Sequence, residues 1–170
     1  MEMLSVSVHN CEKDGLCVWA GASVKATQCG FSNSRMFGVN ICDGSKGSFI
    51  DCIFYHNGQN GVLAQGKGTL VELHGEHTKI CHNELVGLTA CLGSTINIYI
   101  PSRPVTGLVH DNERWDLETW EGGKIQSQLS PLSLELTVIQ EAPAEDLEDD
   151  SDEYLDEYLD EHLDEYLDEY

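Results

Sequence analysis

Four Gly-apolar pairs, Gly15-Leu16, Gly38-Val39, Gly61-Val62 and Gly87-Leu88, follow one another at intervals of 23, 23 and 26 residues. An asparagine precedes each pair by four or five positions: Asn10, Asn33, Asn57 and Asn83. Three of these asparagines directly follow a histidine (His9, His56 and His82). After each pair comes a short run rich in β-branched residues, at 22–26, 47–51, 68–73 and 93–100. A composite phrase met four times is an internal repeat. Short strand-like runs, turn residues between them and no helical periodicity mean that each unit buries its apolar face against the next. The Leu-x-x-Leu-x-Leu frame of a leucine-rich solenoid is absent.

The architecture left is a parallel β-helix, in which each repeat is one turn of about three short strands. Equivalent residues then stack at about 4.8 Å, the spacing of paired strands. Columns facing inward must be apolar or small, and Val24, Phe31, Val39, Ile53, Val62, Leu70 and Leu88 are expected there. An asparagine at a tight corner bonds backbone groups and tolerates a left-handed conformation, so Asn10, Asn33, Asn57 and Asn83 are expected to form one corner column. Gly15, Gly38, Gly61 and Gly87 sit where a Cβ would clash. The same alignment stacks Cys29 on Cys52 and places Cys42 with Cys91. It also sets Asp43 beside Ala20 and Gly66, and Asp51 beside Gln28 and His74.

These Asn-x-x-x-Gly-Val and Gly-Ser-x-β-branched phrases resemble the right-handed parallel β-helix family, over roughly residues 4 to 112. That is the pectin-lyase-like group with carbohydrate-binding and sugar-hydrolase repeats. The His-Asn…Gly-Val coils are also similar to the β-helix modules of F-box ubiquitin-ligase subunits. The expected fold is all-β: a short right-handed parallel β-helix of about four to five coils spanning 1–112. An irregular C-terminal cap and strand occupy 113–140, with Trp115, Leu117 and Trp120 as apolar cover and 132–140 alternating like a strand. An acidic low-complexity tail, disordered or weakly helical, occupies 141–170. The first coil leaves an unpaired strand edge, which makes edge-to-edge self-association an expectation.

Charge is split along the chain. Up to residue 140 there are nine bases against fourteen acids, and from 141 onward sixteen acids and no base. Nucleic acid is excluded as a ligand, since phosphate binding needs a basic surface. No apolar run approaches the roughly 20 residues that cross a bilayer, so no membrane partner is expected. The start lacks the basic and apolar regions of a signal peptide, which points to an intracellular location, cytoplasmic or nuclear. The seven cysteines have no Cys-x-x-Cys spacing and read as reduced thiols, with no metal and no cofactor.

The resemblance implies that an enzyme of this kind would draw several acids from neighbouring coils into one cluster. Asp51 and Glu72 are the candidate catalytic pair, with no third acid in register. Tyr55, His56 and His82 are the candidate ligand contacts. The two histidines should stack in adjacent coils, with His74 and His77 nearby. Trp19 shares a column with Cys42, Gln65 and Cys91 and is expected inside, or as an end plug. The tail repeats Tyr/His-Leu-Asp-Glu, and a helix would align Asp on Asp and Glu on Glu at a cost of a few tenths of a kcal/mol per pair. The expected function is a non-catalytic binding or scaffold module for a glycan or protein ligand, whose acidic tail docks a partner. The alternative is a polysaccharide lyase or hydrolase, or a degenerate piece of one.

Overall fold

A computed structural model of the chain describes residues 1–100 and 104–127. The predicted strand at 132–140 and the acidic tail lie outside the described residues. The first coil is β1 (Glu2–Leu4), β2 (Ser7–His9) and β3 (Leu16–Val18). The second is β4 (Ser23–Thr27), β5 (Gly30–Ser32) and β6 (Val39–Ile41). The third is β7 (Lys46–Ile50), β8 (Ile53–Tyr55) and β9 (Val62–Gln65). The fourth is β10 (Leu70–His74), β11 (Lys79–Cys81) and β12 (Val86–Cys91). The fifth is β13 (Thr95–Tyr99), a 3₁₀ turn at Val105–Gly107, β14 (Val109–His110) and β15 (Trp115–Trp120), and β16 (Lys124–Ser127) starts another. The strands pair in parallel with their equivalents one coil away, making three walls: sheet A (β1-β4-β7-β10-β13-β16), sheet B (β2-β5-β8-β11-β14) and sheet C (β3-β6-β9-β12-β15). No helix among the described residues is long and apolar enough to cross a membrane.

One residue in two faces the lumen, and the walls supply a continuous core. Phe31 and Phe54 stack with ring centroids 5.4 Å apart, and Phe49 meets both edge-on at 6.0 and 5.4 Å. Each of these rings, fully buried, contributes on the order of 2–3 kcal/mol. Val24, Phe31, Val39, Val62 and Leu88 face inward as expected. Ile53 and Leu70 do not. Ile53 is 40% exposed and Leu70 half-buried, because register sets Phe54 over Phe31 and Val71 over Gly47 and turns their neighbours outward. Trp19 is 54% exposed rather than inside. Its column faces outward, since Val18 and Ile41 take the adjacent inward places.

The columns continue past residue 112. The stretch expected as an apolar cap is instead β15, paired with β12 from Val86↔Trp115 to Cys91↔Trp120, and β16 extends sheet A to Ser127. Only Leu117 of that stretch points to the core, while Trp115 and Trp120 face out.

Three corners join the walls, and two differ from the alignment made on sequence. Asn10 and Asn33 align with His56, His82 and Asp111, and all five have φ between 54° and 57°. One position later, Ser34, Asn57, Asn83 and Asn112 form the true ladder. The Oδ1 of Asn83 accepts from the Asn57 backbone N–H (3.2 Å) and from Asn57 Nδ2 (2.9 Å). Asn83 Nδ2 in turn donates to Asn112 Oδ1 (2.8 Å) and Phe54 O (3.4 Å). The glycine column makes room for this ladder: a Cβ on Gly38 would lie 2.6 Å from Asn57 Nδ2, and one on Gly61 2.8 Å from Asn83 Nδ2. In the fifth coil the glycine position is held by Asp116, whose Oδ1 accepts from Asn112 Nδ2 at 2.9 Å and closes the ladder.

At its other end the ladder stops at Ser34, whose buried Oγ has no hydrogen-bond partner. Ser34→Asn, with Gly15 alongside, extends the ladder by one coil. It is expected to add about 1 kcal/mol and raise the melting temperature by about 2–4 °C in calorimetry.

The C-to-A corner is a stack of two-residue turns unmarked in the sequence reading. Ala20-Gly21, Asp43-Gly44, Leu92-Gly93 and Glu121-Gly122 all have positive φ at both positions, with an i to i+3 bond such as Ser45 N to Cys42 O at 3.1 Å. This is the type I′ geometry, which glycine relieves. The third coil carries one extra residue there, Gly66-Lys67-Gly68. Asp51 therefore aligns with Gly75, not His74, and His74 stacks on Tyr99 at 4.7 Å.

Candidate functional site

Sheet B is the narrowest wall. Its outward side chains come from Ile53 and Tyr55 in β8, Lys79 and Cys81 in β11, and His110 in β14, and the left-handed column beside them adds His56, His82 and Asp111. A left-handed corner asks for Asn, Asp, Gly or, less often, His. Imidazoles in two successive coils therefore satisfy the backbone and also project rings outward.

Those rings form a continuous path. Tyr55 meets His56 at 5.4 Å, His56 stacks on His82 at 5.3 Å with planes 14° apart, and His82 meets His110 edge-on at 6.3 Å. His110 Nδ1 lies 2.7 Å from Asp111 Oδ2. That hydrogen bond holds the exposed Asp111 carboxyl below the ordinary range. Asp111 is thus an ionised acceptor at the end of a row of rings. Stacking faces with a polar acceptor beside them suit a ligand that has apolar faces and hydroxyl edges.

The family model described as right handed beta helix region matches residues 2–100. The chain belongs to the right-handed β-helix family. No curated protein and no solved structure matches it.

Within this β-helix, the proposed site residues divide between walls. Tyr55, His56 and His82 share the sheet B strip, and Asp51 lies at its A-side corner with a φ of 52°. Asp51 is already engaged: its Oδ1 accepts from the His77 backbone N–H at 3.0 Å and lies 3.4 Å from His77 Nδ1. Glu72 is elsewhere, facing out from sheet A opposite Ser48 and Asn97. It lies about 10 Å along the strand direction from the level of Asp51, taking ~3.3 Å per residue. His110 and Asp111 were missed as site residues. The signal was present, since His110-Asp111-Asn112 repeats Tyr55-His56-Asn57 and Cys81-His82-Asn83 position by position. No group of three or more His, Cys, Asp or Glu arranged to hold a metal occurs among the described residues.

Proposed function

We propose that this β-helix is a non-catalytic binding module that lays a glycan chain along the sheet B strip. The observation that carries this reading is the unbroken ring path from half-buried Tyr55 through exposed His56 and His82 to half-buried His110, along three successive coils. A linear ligand running parallel to the helix axis meets one ring per coil and an ionised acceptor at Asp111. The carboxylates favour binding over hydrolysis. Asp51 and Asp111 are two coils and five positions apart in register, about 10 Å along the axis and about 16 Å across. Hydrolytic carboxyl pairs lie within about 5–9.5 Å.

The test replaces the rings with the residues that the second coil already carries at the same corner, Ser32 and Asn33. Tyr55→Ser/His56→Asn/His82→Asn preserves the backbone preference. In co-sedimentation against neutral and acidic polysaccharides, the full chain should be retained and the variant should bind about 100-fold more weakly, at about 1 kcal/mol for each of the lost rings. Equal retention of both, or none of either, overturns the reading. Release of reducing or unsaturated sugar ends that disappears in Asp51→Asn would make the protein a polysaccharide-active enzyme instead.

Residues 141–170 add a second mode of contact in this proposal. Sixteen acids interleaved with Tyr and Leu complement a basic protein surface. Partner capture through this segment should weaken steeply as salt is raised from 0.05 to about 0.5 M, because the charges are screened.

A further inference from the structure

The corner between sheets A and B carries a cysteine in each of two successive coils. Cys29 and Cys52 each stand just before a sheet B strand, β5 or β8, and just after a left-handed corner residue, Gln28 or Asp51. The pairing of Gly30 with Ile53, and the bond from Ile53 N to Cys29 O at 2.9 Å, set the two cysteines opposite each other. Both side chains point into the lumen and belong to the continuous hydrophobic core.

No other two cysteines are placed this way, and all seven lie among the described residues. Cys17 lies opposite Asn40, two positions from Cys42, which puts their Cα atoms about 8 Å apart. Cys42 and Cys91 share a column with Gln65 between them, a separation of about 10 Å. Cys81 has Tyr55 and His110 as its register neighbours, and Cys11 O accepts from Arg35 N. In-register residues of adjacent coils are about 4.8 Å apart at Cα. That lies inside the roughly 4.4–6.8 Å that a disulfide spans, and the other separations lie outside it.

The sulfurs lean the right way. Cys52 Sγ donates to Ile50 O (3.4 Å) and, across to the second coil, to Ala26 O (3.5 Å), while Cys29 Sγ donates to Thr27 O (3.3 Å). Oxidation removes these weak S–H donors without stranding the strand-end carbonyls. Thr27 O keeps the Ser5 N–H at 3.0 Å, and Ile50 O keeps the Gln28 N–H at 2.8 Å. Burial pushes the Cys52 thiol up to about 11. Exchange needs a thiolate, so the closed corner reacts slowly and the bridge forms when the corner opens or while the chain folds.

We infer that Cys29 and Cys52 are a disulfide site, a covalent clasp between the second and third coils that closes when the chain meets a small-molecule disulfide. The thiolate of one cysteine attacks the S–S bond of the oxidant, forming a mixed disulfide and releasing one small thiol. The thiolate of the other cysteine attacks the protein sulfur of that mixed disulfide, so the protein S–S bond forms and the second small thiol leaves. The two cysteines lose two electrons and two protons, and the oxidant takes up both as two thiols. The loop closed is one full coil, and tying it in the unfolded chain favours the fold. Reducing surroundings leave the clasp open, as the free thiols of this structure are.

The test unfolds the full chain under reductant and refolds it in a buffer of reduced and oxidised glutathione, where thiols exchange to equilibrium. Remaining thiols are then alkylated, and the digest is mapped by mass spectrometry without reduction. One intramolecular crosslink, Cys29 to Cys52, should dominate, with Cys17 and Cys42 alkylated. The oxidised chain should melt about 5–10 °C above the reduced one, and added reductant should abolish the difference. Cys52→Ser should melt at one temperature in both buffers. Refolded chain in which Cys29 and Cys52 are both alkylated overturns the inference, and so does a dominant crosslink between any other two cysteines or a stable mixed disulfide with glutathione. If the chain does not refold from denaturant, the same mapping decides after the folded chain is held in that buffer at its melting midpoint, where it unfolds and refolds repeatedly.

Discussion

Asn83→Ala should lower the melting temperature by about 10 °C. The side chain is fully buried and sits mid-ladder, accepting two hydrogen bonds from Asn57 at 3.2 and 2.9 Å and donating to Asn112 and to Phe54 O. Alanine removes both ends at once. It leaves the Asn57 backbone N–H buried without an acceptor and Asn57 Nδ2 with only Phe31 O, at 3.3 Å, while Asn112 Oδ1 and Phe54 O each lose a donor. Each stranded group costs about 1–3 kcal/mol, so the total should reach roughly 3–4 kcal/mol, converted at about 2–4 °C per kcal/mol. Asn33→Ala is the matched control. Asn33 is exposed in the neighbouring left-handed column, and its side chain bonds only to Ser32 Oγ, at 3.5 Å. Its loss should cost only the left-handed preference, about 1 kcal/mol. Equal effects of the two substitutions in thermal unfolding would mean that the ladder contributes nothing beyond backbone conformation.

Gly61→Ala should be nearly as damaging for the opposite reason. A Cβ there would lie 2.7 Å from Ile80 Cγ2, 2.8 Å from Asn83 Nδ2 and 2.8 Å from Gly87 O, which are neighbours on two sides and one coil away. None of the three can retreat without opening the stack. Overpacking of this kind costs about 1–3 kcal/mol, and the upper end applies because the ladder is displaced with it. Gly21→Ala separates steric from conformational cost. No atom lies within 4 Å of a Cβ built there, and only its φ of 72° resists the change. It should cost about 1 kcal/mol. Chemical denaturation of the two variants, compared at unchanged m, measures the difference.

The repeat makes the architecture legible in the sequence alone, since an apolar period near one coil has few ways to bury itself. Register within the coil was harder. His56-Asn57 and His82-Asn83 look equivalent to His9-Asn10, yet the first pair of coils stacks Asn10 and Asn33 where the later coils place histidine. Aligning on the asparagine slides those coils by one. Ile53-Phe54 and Leu70-Val71 present the same ambiguity, because two adjacent apolar residues fit either side of a strand and only the neighbouring coil decides between them. The extra residue at Gly66-Lys67-Gly68 then moved Asp51 from His74 to Gly75. The candidate strip was half legible: Tyr55, His56 and His82 were readable as a stacked group. His110 and Asp111 were hidden because the prolines before them disguised a regular coil.

Asp116 gives the solenoid a one-sided rule of growth. Gly38, Gly61 and Gly87 each offer a place against which the asparagine of the next coil lies, so a duplicated coil inserted among them inherits a ready socket on both sides. The fifth coil offers a carboxylate in the same place, already bonded to Asn112 and occupying the space that a sixth asparagine would need. Duplication of a glycine-bearing coil therefore carries the asparagine ladder on, and continuing the ladder beyond the fifth coil requires Asp116→Gly first. A single side chain ends the asparagine ladder among the described residues while sheet A runs on into β16, and the same substitution is the entry point for building longer ladders into this protein.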